Sequence, residues 1–227
     1  MTSKEPPNYQ RVVDDLRSRI LAGELGSGNY VRNRTRLVRR AHSRDMRKRI
    51  GSTSPFARDS EAVGMRPAWE ADSHKIPASA LIAERLGIQP GDMVMHTRYR
   101  YLADGTPIQL ADSYEPSAIT GGTPVEYPEQ GPIIGVVARM DSIGVAIDRF
   151  VEEVITRPAM PEEADALELD RRGGMWVISV ERNYYAGQNA VETADIVVPG
   201  GRYRLVYEMP LDPWSPSEET RCHDGQR

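Results

Sequence analysis

The chain has 227 residues, of which 39% are hydrophobic and 27% charged, with 29 Lys and Arg set against 33 Asp and Glu. That composition provides apolar mass for one core of ordinary size, or for a domain with a smaller companion. A lone cysteine, Cys222, excludes a disulfide framework and a Cys-based zinc site. The four histidines form no His-Glu-x-x-His pair, and there is no run of about 18 apolar residues to span a bilayer. The expectation is a cytoplasmic protein with no membrane contact, no metal and no cofactor.

A first helix is predicted from Asn8, which can cap it, to Gly23, with Tyr9, Val12, Val13, Leu16 and Ile20 along one stripe. At about 14 residues it is marginal in water and needs a surface to pack on. Next comes RNRTRLVRRAHSRDMRKR, Arg32 to Arg49, with nine basic residues and one acid, Asp45. A chain of net charge −4 therefore carries a basic strap on an acidic body. Arg32, Arg34, Arg36, Arg39 and Arg40 are the candidate phosphate contacts. Such contacts give salt-dependent affinity and read no base sequence.

Beyond Pro55 the pattern mixes helix and strand. ASALIAERL, Ala78 to Leu86, is a short helix closed by Gly87. MVMHTRYRYL and TPIQLADSY flank Asp104-Gly105, a hairpin signal of type I′. Period 2 puts Val94, His96, Arg98 and Arg100 on one face, and Met93, Met95, Thr97, Tyr99 and Tyr101 on the other. With a two-residue loop, Arg98 faces Ala111 and Arg100 faces Gln109, so neither meets an acid. Two guanidiniums about 7 Å apart suit a carboxylate or phosphate. GPIIGVVARMDSIG then reads as a helix ending near Gly144, and IDRFVEEVITRPAM as a strand. Pro161 with Glu162 and Glu163 behind it opens another helix. MWVISVERNYY and AVETADIVV make a second hairpin, and RYRLVYEM is a last strand. The fold class is α+β, an antiparallel sheet with helices on one side. No glycine-rich phosphate loop follows a strand.

YQRVVDDLRSRILAGEL resembles the opening helix of the winged helix-turn-helix in GntR-family transcriptional regulators, and GSGNYVRNR resembles the wing that closes it. In that family the recognition helix lies between these pieces, whereas Tyr9 to Val31 is only 23 residues here. The resemblance thus implies an internally truncated head and DNA binding that is weak or has lost its specificity. Farther on, ALIAERLGIQPGD, HTRYRYLADGTPI, SYEP, RPAMPEEADALEL, ERNYYAGQNAVE and GGRYRLVYE follow in order and resemble a UTRA domain. That domain is the effector-binding half of the HutC/FarR branch and has a chorismate-lyase-like fold. The implied layout is a truncated winged helix-turn-helix remnant at 1–31, a basic linker at 32–53, the UTRA domain at 54–210 and a disordered tail at 211–227.

The function this resemblance implies is a ligand-responsive transcriptional regulator, a homodimer through its UTRA domain, that senses a small anionic metabolite. By resemblance Arg98 and Arg100 hold the anion, and Glu192 from the second hairpin lines the pocket. Ala111, Ile134 and Val198 stand at pocket positions where the family carries a glutamate, an aromatic and a tyrosine. This set favours a small or apolar acid over a sugar phosphate. Two alternatives stay open. One is a stand-alone small-molecule sensor without DNA function. The other is a chorismate-lyase-like enzyme, for which no nucleophile–base pair or metal cluster can be read from spacing.

Overall fold

The computed structural model describes residues 38–42, 55–61, 63–131, 133–169 and 175–207. The chain divides into two compact units, 1–36 and 37–227, and every described residue belongs to the second. The predicted first helix, Arg32, Arg34, Arg36 and the tail at 211–227 with Cys222 lie outside the described residues.

In chain order the elements are β1 (Val38–His42), α1 (Pro55–Glu61), β2 (Pro67–Pro77), α2 (Ala80–Leu86), β3 (Met93–Ala103), β4 (Thr106–Pro116), α3 (Ser117–Thr120), α4 (Val136–Ser142), β5 (Arg149–Pro158), α5 (Pro161–Ala166), β6 (Trp176–Ala186), β7 (Asn189–Pro199) and β8 (Tyr203–Tyr207). Six strands form one antiparallel sheet in the order β2-β3-β4-β7-β6-β5, while β1 and β8 form a separate parallel pair. Part of the expected basic linker is therefore a strand. Val38 to His42 pair with Tyr203 to Tyr207, which places Arg39 opposite Arg204 and Arg40 opposite Leu205. The ladder satisfies backbone groups that a linker would leave to water.

Local chemistry explains the elements that position the rest. Asp104 and Gly105 have φ of 49° and 78°, the positive values that a tight type I′ turn requires. Helix α2 is capped by Ser79, whose Oγ accepts from the Ile82 amide at 3.3 Å. It ends at Gly87 with φ 67°, after which Ile88 N–H bonds the Ala83 carbonyl. Helix α5 starts at Pro161, and the Glu163 carboxylate reaches back to the Met160 amide at 2.8 Å. The helix expected over Gly131 to Gly144 is shorter than predicted. Gly135 has φ 91°, which no α-helix accommodates, so α4 begins at Val136 and Ile134 stays in the preceding loop.

The sheet has two covered faces. On the inner face Tyr99, Ala111, Val180, Ala194, Ile196 and Val198 pack with Phe56 of α1 and Tyr203 of β8. Met140 of α4 extends that packing over Tyr184 and Val191. On the outer face Ile82, Ala83 and Leu86 of α2 cover Val94, and Leu167 covers Val177 and Val197. Full burial of side chains such as Leu86 and Val94 contributes about 1.5–3 kcal/mol each. The α+β antiparallel expectation holds. The helices divide between both faces, with α1 and α4 packed on the inner one and α2 on the outer one.

Candidate functional site

The arginine fork expected on β3 does not line the inner face. From the turn outward Ala103 pairs with Thr106 and Leu102 with Pro107, but Tyr101 then pairs with Gln109. Ile108 is an extra residue on β4, a β-bulge that shifts every later partner by one. Arg98 consequently faces Asp112, and Arg100 faces Leu110. Arg98 Nε donates to Asp112 Oδ1 at 3.0 Å, and His96 Nε2 lies 2.7 Å from the same oxygen. Burial raises the Asp112 carboxyl, but the His96 and Arg98 contacts outweigh it and hold it below the usual range. Arg100 donates from Nε to the Ala166 carbonyl at 2.9 Å, from Nη2 to Glu168 at 2.9 Å and from Nη1 to Glu70 at 3.3 Å. Both guanidiniums thus occupy the outer face, already engaged by the protein's own oxygens.

The inner face holds the buried polar groups. Glu192 on β7 is 3% exposed. Its Oε1 accepts from Ser113 Oγ of β4 at 2.7 Å, and its Oε2 has no hydrogen-bond partner among the described residues. Burial pushes this carboxyl up to about 7, against the pull of Arg182, Ser113 and Arg139. Arg182 on β6 stands one strand away, its Nε 3.1 Å from Glu152 of β5 and its Nη1 donating to Tyr184 Oη at 3.1 Å. Ser113 and Ala194 face each other across β4 and β7, as do Ala111 and Ile196. Small side chains at the centre of a sheet keep that part of its surface low. Ala111, Ser113 and Ala194 form such a floor, with Glu192 and Arg182 at its side.

Two further contacts join a loop and α4 to this face. The loop between α3 and α4 carries Glu129, whose Oε2 accepts from Trp69 Nε1 at 2.7 Å and whose Oε1 accepts from Tyr99 Oη at 3.0 Å. Arg139 of α4, 1% exposed, makes a bidentate pair with Glu115 of β4 at 2.6 and 3.0 Å and also donates to the Val125 carbonyl. The pair ties helix, loop and sheet together at one buried point.

Of the residues expected in the site, Glu192, Ala111 and Val198 share the inner face, with Val198 six positions along β7 from Glu192, and Arg98 and Arg100 are on the opposite one. Ile134 precedes α4, and Arg39 and Arg40 belong to β1. Sequence reasoning missed Trp69, Ser113, Glu129, Arg139 and Arg182. Among the described residues no group of three or more His, Cys, Asp or Glu side chains is arranged to hold a metal, and no helix is long and apolar enough to cross a membrane.

This sheet, with its polar inner face, defines an effector-binding type of domain: residues 62–204 match the family model described as UTRA domain, and the chain belongs to that family. A solved structure assigned to the GntR family of transcriptional regulators is 36% identical. The match covers 91% of this chain and 98% of that one at a TM-score of 0.71. PhnF from Mycobacterium smegmatis is similar in fold, at 20% identity over 89% of this chain and 85% of its own, with a TM-score of 0.65. The C-terminal domain of the histidine utilization repressor from Pseudomonas syringae pv. tomato shares the fold at 19% identity, over 65% of this chain and 100% of its own, with a TM-score of 0.54. No curated protein matches the sequence.

Proposed function

We propose that the chain is a ligand-responsive transcriptional regulator of the GntR/HutC type and not an enzyme, whose UTRA domain senses a small metabolite on the inner face of its sheet. The observation that carries this reading is Glu192, a nearly fully buried carboxylate with one oxygen satisfied by Ser113 and the other without a hydrogen-bond partner among the described residues. A buried acceptor left open is costly in a folded protein, and a ligand that donates to it recovers that cost on binding. Ser113 and Ala194, which face each other across β4 and β7, flank it on the same face, and the match to the UTRA family supports a binding role over catalysis.

The regulator acts as a homodimer, with DNA contacts supplied from the basic segment. The solved GntR-family relative supports the class, and the sequence resemblance to a head without its recognition helix supports weak or non-specific DNA binding. A thermal-shift screen of metabolites on the full chain and on Glu192→Gln tests the sensing role. A ligand at a hundredfold excess over its Kd raises stability by about 2.7 kcal/mol, and that gain is expected to disappear in Glu192→Gln. If every hit stabilises both chains equally, the inner face is not the effector site. Fluorescence anisotropy on duplex DNA tests the second part. Equal, salt-sensitive affinity for any sequence is expected, and a preference for one duplex overturns it.

A further inference from the structure

Glu129 is held in an unusual way. Its carboxylate is gripped by two neutral donors, Trp69 Nε1–H from β2 and Tyr99 Oη–H from β3, and among the described residues no lysine or arginine pairs with it. Trp69 stands opposite Tyr101 on the neighbouring strand, and Tyr99 stands opposite Ala111 at the edge of the low floor. The donors sit on the rigid sheet. The acceptor comes from the loop between α3 and α4, whose described residues form no helix or strand and include glycines at φ 126° (Gly131) and 91° (Gly135). Burial, together with Tyr101 and the nearby Glu129, keeps the Tyr99 hydroxyl protonated far above neutral pH, so it remains a donor.

We propose that Glu129 is a tethered stand-in for the effector: a small carboxylic acid enters the inner face by displacing the Glu129 carboxylate from Trp69 and Tyr99. The proposal rests on the sensing role given above and names the ligand class. It also removes an electrostatic objection. The middle of the inner face carries Glu115, Glu152 and Glu192, with Glu129 reaching it from the loop, against Arg139 and Arg182. Even with Glu192 protonated the remaining acids exceed the arginines and repel an added anion. Exchange of one carboxylate for another leaves the charge on the donors unchanged. Two N–H and O–H donors spaced for the two oxygens of one carboxylate select that group over a neutral amide, which offers a single carbonyl oxygen. A ligand acid must compete with a residue tethered at millimolar effective concentration, so removal of the tethered group tightens binding.

The experiment uses the full chain with Trp176→Phe and Trp214→Phe, which leaves Trp69 as its single tryptophan, titrated with sodium benzoate and with benzamide. Glu129→Ala is expected to bind benzoate at least tenfold more tightly than its parent, with Trp69 emission reporting the exchange and benzamide affinity changed less than twofold. Adding Tyr99→Phe to Glu129→Ala is expected to abolish most of the gain. Where circular dichroism shows that Glu129→Ala has not folded, Glu129→Gln, which keeps one acceptor oxygen but loses the carboxylate, is expected to show a smaller gain for benzoate in the same direction. Benzoate affinity that is unchanged or weaker, or an equal gain for benzamide, overturns the proposal. A metabolite whose stabilisation depends on Glu192 but ignores Glu129→Ala overturns the tethered carboxylate and leaves the sensing role standing. Absence of benzoate binding in parent and variant alike, together with no Glu192-dependent ligand, overturns both.

Discussion

Replacing Glu192 with Gln changes the pH dependence of stability in a direction the structure fixes. The carboxyl titrates at 4.5 in a solvated chain and at about 7 when folded. Its neighbours are Tyr101 on β3, Ser113 and Glu115 on β4, Arg182 and Tyr184 on β6, and Arg139 on α4. Because the folded value is the higher one, the folded protein keeps a proton that the unfolded chain has lost across this window. Stability therefore falls as pH rises from about 4.5 to about 7 and is flat beyond. At 1.36 kcal/mol per unit the loss comes to roughly 3 kcal/mol. Gln keeps an acceptor for the Ser113 hydroxyl and does not ionise. Urea denaturation at pH 4.5 and pH 8 should show the stability difference, Gln variant minus parent, growing by roughly 3 kcal/mol. For a domain of this size that is about 6–12 °C in Tm. Asp112 and Glu163, both held below their usual range, pull the other way, but they titrate identically in both proteins and cancel in the difference. A difference that does not change with pH, or that shrinks on going to pH 8, refutes the burial argument for Glu192.

Three other substitutions probe separate parts of the account. Arg98→Ala should cost less than about 1 kcal/mol in denaturant titration, since the side chain is 73% exposed beside Asp112. It should also leave benzoate affinity within twofold, and a large loss of binding returns the arginine to the site. Arg139→Met strands the Glu115 carboxylate at full burial and should destabilise by about 3–5 kcal/mol, most of it recovered in Arg139→Met/Glu115→Leu. If the double variant is as unstable as the single one, packing and not the stranded charge explains the loss. Gly87→Ala should cost about 1 kcal/mol by thermal unfolding, because φ is 67° and an added Cβ meets nothing within 4 Å, so backbone strain is the whole effect.

The hairpins were readable because alternation and Asp104-Gly105 fix strands and turn from neighbouring residues alone. The face that matters was not. Period 2 correctly separated Arg98 and Arg100 from Tyr99 and Tyr101, but one extra residue at Ile108 changed the partner of Arg98 from Ala111 to Asp112. No local pattern announces a bulge. Strand β2 escaped notice because its inner positions, Trp69, Ala71, Ser73 and Lys75, grade from aromatic to charged and prolines stand at both ends. Glu129 and Arg139 find their partners 30 and 24 positions away in Tyr99 and Glu115, across a loop that periodicity does not describe. Glu192 was placed from family resemblance alone, and its open oxygen is a fact of packing that sequence does not carry.

The parallel ladder between β1 and β8 has a bearing on how the chain comes into being. Synthesis runs from the N-terminus, and domains generally fold as their parts emerge. Val38 cannot find Tyr203, nor His42 find Tyr207, until the residues between them have been translated. Strand β1, with Arg39 and Arg40, is thus made well before the strand its backbone pairs with. Until β8 is made, the backbone groups of β1 have no ladder to join.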